Sequence, residues 1–382
     1  MEAYSSQVTN SQGTKQLPLR WVLVVPFVLQ IVGAAGLVGY LSVRNGQQAV
    51  ETLVTKLQSE ASDRIDQHLD SYLTTATHVG KVNADAMDLG LLDPEDLEGT
   101  SRFFWRQMQL YDIGFILFGS VSGDFSAAGY FFEDGSISVN EVSPAKNGNG
   151  DLYTYNTNEK GDRTELADVD PSYAFQAEAW YAETITKPKA HWTEIYPWQT
   201  EPYPLSVDYI KHKNDTAGTL IGAIGIEQRL DQVSDYLGKL EISPSSTTFI
   251  LERNGDMVAS STAAPPFQLV DGAAQRISEI ESDNPTISGV SKAIKQQFGT
   301  FTAITSAQQI KIALDGTRQF VKIAPWQDTL GLDWLVVTAI PEADFMGQIN
   351  ANRRTTIWLC LGALGLATVV GVYTSRWITK PV

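Results

Sequence analysis

Gly218–Glu227, GTLIGAIGIE, decides the fold once it is set beside Leu332–Glu342, LDWLVVTAIPE. Each is a short apolar run of strand type that closes a group of strands and hands over to a helix, Leu230–Leu240 in the first case and Pro341–Asn350 in the second. The openings of the two groups also match. Phe115-Ile-Leu leads into Gly123-Asp124, and Phe249-Ile-Leu leads into Gly255-Asp256. Two short matches count for little alone, but the order of elements repeats as well: helix, antiparallel sheet, outgoing helix. The chain therefore reads as two copies of one α+β plan.

In the first copy a helix at Pro94–Leu110 precedes strands at Ile113–Gly119, Phe125–Phe132 and Ser136–Val142. Asp151–Thr157 reads as a further strand, and Asn158–Asp170 as polar and irregular. Tyr173–Thr186 reads as helix up to the break at Lys187-Pro188 and His191–Pro197 as strand. Leu205–Lys211 and Leu220–Glu227 are strands joined by a turn at Asn214-Asp-Thr216. In the second copy Thr247–Glu252 and Met257–Ser260 form a hairpin across Arg253-Asn-Gly-Asp256. Phe267–Lys295 is helical or looped. Phe301–Ile304, Gln309–Leu314, Gln319–Pro325 and Trp334–Ile340 are strands.

Outside the two copies lie two apolar runs, Trp21–Val43 and Thr355–Ser375, neither containing a charge. About 20 apolar residues cross a bilayer core, so both are long enough to span it. Trp21, Tyr40, Trp358, Tyr373 and Trp377 sit toward their ends, where interfacial aromatics belong. Lys15, Arg20, Arg376 and Lys380 favour cytoplasmic termini with the long loop outside; Arg44, Arg353 and Arg354 weaken that bias. Between the first run and the strands, Val50, Leu53, Leu57, Ala61, Ile65, Leu69, Leu73, Ala76 and Val79 recur in steps of three and four. That pattern predicts one long helix over Asn45–Asp88, with a polar side free for solvent or for a second subunit.

The net charge is −16 over 382 residues, and the segments outside residues 45–352 carry a net positive charge from Lys15, Arg20, Arg44, Arg353, Arg354, Arg376 and Lys380 against Glu2. The loop between the runs is thus strongly acidic, which disfavours nucleic acid and attracts cationic or neutral solutes. A single cysteine, Cys360, excludes an intrachain disulfide and a thiolate metal site. The four histidines, His68, His78, His191 and His212, have no metal-ligand spacing. No phosphate-binding, dinucleotide or nucleophile-elbow motif is present, and Asp162–Asp170 lacks the spacing of a calcium loop. No cofactor or metal is expected, and no enzyme activity within this chain.

One stretch is dense in aromatics: Tyr173–Trp198, YAFQAEAWYAETITKPKAHWTEIYPW. Stiff side chains with polar handles make good pocket walls.

A short tail, a span, a long helix, two stacked PAS-like antiparallel-sheet units and a second span resemble the double Cache sensors of bacterial receptors, over residues 20–382. The resemblance implies a cytoplasmic tail at 1–20, a first transmembrane helix at 21–43 and a stalk helix at 44–93. It further implies a membrane-distal unit holding the ligand at 94–240, a membrane-proximal unit at 241–352, a second transmembrane helix at 353–375 and the start of a HAMP relay at 376–382. In the amino-acid-binding branch of that family a Tyr is followed by an Arg two residues before Trp-Tyr, and an Asp closes the last strand. Here Tyr173 and Trp180-Tyr181 keep the pattern, Glu227 takes the place of the Asp, and Glu178 stands where the Arg would grip a carboxylate. The resemblance thus implies a ligand site made of Tyr173, Glu178, Trp180, Tyr181, Trp192, Tyr196, Asp208 and Glu227, with an amine or another cationic or neutral solute as ligand. The opening WVLVVPFVLQIVGAAGLVGYLSVRNGQ also resembles cyanobacterial sensor kinases and nucleotide cyclases. The implied protein is a homodimeric, multi-pass receptor of the inner membrane with a periplasmic sensor. A histidine kinase is the expected output; a cyclase, a chemoreceptor or an anchored solute-binding protein is the alternative.

Overall fold

A computed structural model describes residues 19–130, 135–148 and 150–378; side chains at 19–24, 27, 147, 347–353, 375, 376 and 378 are not described. The chain is α+β, as expected. It divides into two compact units, one of residues 1–53 and 345–382 and one of Val54–Asp344.

The second unit opens with the later part of helix α1, Leu19–Asp88, and continues with α2, Leu97–Met108. Next come β1 (Phe115–Ser120), β2 (Phe125–Tyr130), β3 (Ile137–Val142), the short α3 (Pro144–Asn147), β4 (Leu152–Thr157) and β5 (Arg163–Asp170). Helix α4 (Ala179–Thr186) precedes the two-residue strands β6 (His191–Trp192) and β7 (Tyr196–Pro197), the long strands β8 (Leu205–Asn214) and β9 (Leu220–Arg229), and helix α5 (Leu230–Lys239). The second sheet group is β10 (Thr247–Glu252), β11 (Met257–Ser260), β12 (Phe267–Val270), β13 (Ala273–Arg276), α6 (Pro285–Phe298), β14 (Gln308–Leu314), β15 (Thr317–Gln327) and β16 (Asp333–Pro341). Helix α7 (Ala343–Ile378) follows.

The first sheet has the order β5-β4-β3-β2-β1-β9-β8-β6, with β7 also on β8, and the second has the order β11-β10-β16-β15-β14. In both, the opening strand lies between its hairpin partner and the closing strand, and all these pairs are antiparallel. The repeat read from the two closing strands is therefore a repeat of topology.

Helix α1 is the common spine. Its buried residues Ile65, Leu69, Leu73, Ala76 and Val79 share a core with Ile116, Phe118, Val207, Tyr209, Ile224 and Ile226 of the first sheet and with Trp326, Trp334 and Val336 of the second. Polar ties fix its register. Gln58 Nε2 donates to the carbonyls of Phe320 and Thr338, Tyr72 Oη donates to the Arg229 carbonyl, and Trp326 Nε1 donates to Asp70 Oδ1. Each sheet carries its own second core on the opposite face. In the second sheet α6 covers Phe249, Leu251 and Val337. In the first, Leu117, Phe125, Ile210 and Ala223 pack with Phe175, Trp180 and Tyr181.

Four expectations need correction. Asn158–Asp170 is not irregular, because Arg163–Asp170 forms the edge strand β5; its side chains are nearly all exposed, so no alternation marks it. Phe267–Lys295 resolves into the hairpin β12–β13 and then α6, whose start is capped by Asn284 Oδ1 accepting from the amides of Thr286 and Ile287. Phe301–Ala303 is a 3₁₀ turn rather than a strand. Tyr173–Thr186 is not one helix: a 3₁₀ turn at Phe175–Ala177 gives way to extended backbone at Glu178 before α4 begins.

In the other unit, one segment among the described residues is long and apolar enough to cross a membrane, Arg354–Thr374 in α7, with mean hydropathy 1.9 and none of it buried. The expected span at Trp21–Val43 is helical, within α1. Of the expected tail and relay start, residues 1–18 and 379–382 lie outside the described residues.

Candidate ligand site

One row of residues runs straight across the first sheet. Phe115 on β1 pairs with Gly129 on β2 and with Glu227 on β9, and Glu227 pairs in turn with Asp208 on β8. Directly paired residues project to the same face, so Phe115, Glu227 and Asp208 share one face. It is the face opposite α1, since Tyr209 and Ile226, their chain neighbours, belong to the α1 core. Asp208 is 0% exposed and Glu227 4%.

Like charges directly opposite on a ladder repel each other. Among the described residues the side chain hydrogen-bonded to both is Tyr196, whose Oη lies 2.8 Å from Asp208 Oδ2 and 3.3 Å from Glu227 Oε2. The remaining oxygens, Asp208 Oδ1 and Glu227 Oε1, are buried without a hydrogen-bond partner. Burial pushes the Asp208 carboxyl up to about 7; the Tyr196 hydrogen bond opposes this, and the charges of Glu178 and Glu183 add to it. Burial, and then the charge on Asp208, holds Glu227 well above the carboxylate range, against the pull of Ser206, Tyr196 and Arg229.

Further groups close around the pair. Burial raises the Tyr173 phenol, and the charges of Glu178, Glu227, Asp170 and Asp208 raise it further; its ring meets Phe125 edge-on at 5.9 Å. Glu178 is exposed, at the extended residue that starts α4; its side chain caps nothing, and desolvation lifts its carboxyl above the ordinary range. The Phe115 ring lies over Gly129 and stacks at a tilt on Trp198, 5.5 Å between centroids. Trp198 Nε1 donates to Ser206 Oγ at 3.0 Å. Gly114 leaves room beside Glu227: a Cβ there would lie 2.8 Å from Glu227 Oε1.

The structure joins three of the eight expected residues by hydrogen bond and strand pairing, Tyr196, Asp208 and Glu227, and the charge of Glu178 acts on both Asp208 and Tyr173. Trp180 adjoins them from the packed side. Its ring lies over Gly119 and Gly225, and Gly225 is two residues before Glu227 on the same face. Tyr181 points elsewhere, its hydroxyl donating to the Ser120 carbonyl. Ser120 pairs with Gly222, five residues from Glu227, or about 16 Å along a strand. Trp192 is on the other face altogether, within the α1 core, edge-on to Tyr209, with Nε1 donating to Asp328 Oδ2 at 2.5 Å. Phe115 and Gly114 were missed, and Trp198 was read only as part of the aromatic stretch Tyr173–Trp198. The signal available for Phe115 was its place at the head of the strand that opens the repeat.

The β7–β8 connection that carries Tyr196 and Trp198 is fastened to the second sheet group. Gln199 Nε2 donates to the Ala274 carbonyl at 3.2 Å, and Gln199 Oε1 accepts from the Ala274 amide at 3.0 Å. Tyr203 packs on Phe267, with centroids 5.8 Å apart.

No protein-family model matches the chain, and no curated protein matches it. Among solved structures it is similar to the ligand-binding domain of the Pseudomonas aeruginosa PAO1 amino acid chemoreceptor PctC in complex with GABA, at 16% identity over 74% of this chain and 97% of that one, TM-score 0.46. It is also similar to the ligand-binding domain of Mlp24 with asparagine (14% identity, 80% and 99% covered, TM-score 0.46). A third similar structure is the ligand-binding domain of the Pseudomonas fluorescens chemoreceptor CtaA with L-leucine (10% identity, 78% and 97% covered, TM-score 0.44).

Proposed function

We propose that this chain is the sensing region of a membrane receptor, binding a small cationic solute, an amine, on the first sheet. The observation that carries this reading is the buried Asp208–Glu227 pair, which keeps two acceptor oxygens unpartnered beside the aromatic walls of Phe115 and Trp198. A buried carboxylate without a cation is costly, and an ammonium group supplies three N–H donors and the missing charge. Phe115, Trp198 and Tyr173 offer ring faces to the same cation.

In this reading Trp21–Val43 and Arg354–Thr374 are two spans in the bilayer, both termini are cytoplasmic, and the unit Val54–Asp344 lies outside. The polar side of α1 meets a second copy in a homodimer. Ligand binding biases a two-state arrangement that a cytoplasmic output domain reads, a histidine kinase in the first instance. Glu178 argues against amino acids, since their carboxylate would meet another carboxylate.

The test is a thermal-shift screen of the full chain in detergent micelles against amines, amino acids, organic acids and nucleobases. Amines should raise the melting temperature in proportion to the logarithm of their concentration above Kd. A rise with organic acids or amino acids and none with amines would overturn the reading.

A further inference from the structure

The Asp208–Glu227 pair presents two buried acceptors side by side. The residues are directly opposite on the β8–β9 ladder, so their Cβ atoms lie about 4.5–5.5 Å apart. Each turns one oxygen, Oδ2 and Oε2, to the Tyr196 hydroxyl, at 2.8 and 3.3 Å. The other two, Asp208 Oδ1 and Glu227 Oε1, are buried without a hydrogen-bond partner. A phenol has one hydrogen to give, and that of Tyr196 is already on the first two oxygens. Arg229, two residues further along β9, gives two N–H groups to Asp231. Gly114 keeps the approach to Oε1 open, because a Cβ there would fill the space 2.8 Å from it. The pair therefore wants two N–H donors on one cationic centre.

We infer that the pair selects its ligand by the number of N–H groups on the charged nitrogen, taking primary and secondary ammonium ions over tertiary and quaternary ones. The inference rests on the amine reading above and narrows it. A primary ammonium carries three N–H groups and a secondary one two, so either partners both oxygens. A tertiary ion partners one oxygen and strands the other, and a quaternary ion strands both. A buried charged acceptor left without a donor lowers affinity by at least about tenfold. The aromatic walls pull the other way. Phe115 and Trp198, 5.5 Å between ring centroids, offer faces that attract a quaternary ion as well as a primary one. A site of rings alone would be indifferent to N-methylation or favour it, and the two stranded oxygens reverse that preference.

The experiment uses the full chain purified in detergent micelles, with binding followed by calorimetry. The probes are n-butylamine and benzylamine, each carrying zero, one, two or three N-methyl groups. Affinity should stay within about threefold on the first methylation and fall at least about tenfold on the second, with a further fall on the third. A matched pair separates donors from bulk: tert-butylammonium and tetramethylammonium are equal in charge and nearly equal in shape. The first should bind at least about tenfold more tightly. Equal affinity within that pair would overturn N–H selection and leave the amine reading standing. So would a methylation series that is flat, or one that loses all binding at the first methyl. Binding of none of these ions would overturn both.

Discussion

Asp208 and Glu227 face each other across the β8–β9 ladder, and a single phenol, Tyr196, donates to both. A sheet selected only for stability would place an apolar or oppositely charged pair there. The arrangement weakens the empty protein in return for a strong field at one point, the trade common at binding sites.

Asp208→Asn tests that trade. The amide keeps an oxygen for Tyr196 and removes one buried charge. At about pH 8 it should stabilise the empty chain by on the order of 2 kcal/mol in chemical denaturation, while the melting-temperature rise with amines disappears. A destabilised variant that still responds to amines would remove Asp208 from the site.

The pH dependence follows from the same pair. Both carboxyls titrate above their ordinary values, so in the fold they hold protons that the unfolded chain has released. For Asp208 this contribution to stability is complete below about pH 4 and is lost as pH rises through about 7; that of Glu227 is lost in the same direction. Amine affinity moves the opposite way, strengthening as pH rises through about 7, because a proton and an ammonium compete for the same oxygens. The groups facing the pair are Tyr196 from β7, Ser206 from β8, Arg229 from β9, and Tyr173, Glu178 and Glu183 from the α4 side. His68, stacked on Tyr236 at 3.6 Å and lowered by burial, contributes stability that is lost as pH falls through its unfolded value near 6.5. Melting curves of the unmodified chain and of Asp208→Asn from about pH 4 to 8 separate the two, since His68 cancels in the difference. The gain from the substitution should grow with pH.

Gly114→Ala adds a methyl group 2.8 Å from Glu227 Oε1 and 3.2 Å from the Glu227 carbonyl. Overpacking of this kind costs about 1–3 kcal/mol. Amine affinity should fall about tenfold as Glu227 is displaced, read by calorimetry. Unchanged affinity would show that the ligand does not use Oε1.

Trp192→Phe should behave oppositely. It deletes the indole donor to Asp328, whose other oxygen accepts from the amides of Leu330, Gly331 and Leu332. Stability should drop by about 2 kcal/mol, with amine affinity within about twofold of the original, because the residue is on the far face of the sheet. A large loss of affinity at unchanged stability would place Trp192 back in the site.

Much of the fold was legible because both copies use strands bounded by Gly-Asp turns and because α1 repeats its apolar residues at helical spacing. What stayed hidden follows from register. Asn214 pairs with Leu220, but a bulge between Lys213 and Asn214 shifts every pair further along, and that shift sets Asp208 opposite Glu227. Without it Asp208 would oppose Ile226, and the two carboxylates would point to opposite faces. The turn residues do not announce the bulge. Trp192 went astray for a related reason: strand parity was readable, but which parity faces α4 depends on pairing with Tyr209. Strand β5 was missed because a ribbon exposed on both faces has no apolar alternation to read.

The joint between Gln199 and Ala274 is made by one side chain on the loop and by main chain alone on the hairpin. Such a joint constrains the shape of the hairpin rather than its sequence. The Gln199 bonds ask nothing of the side chains at Ala273 and Gln275, whereas Gln199 itself has no such freedom and Arg276 is held separately by Glu252 and the Met257 carbonyl. In relatives of this chain, then, position 199 should change slowly and positions 273 and 275 fast.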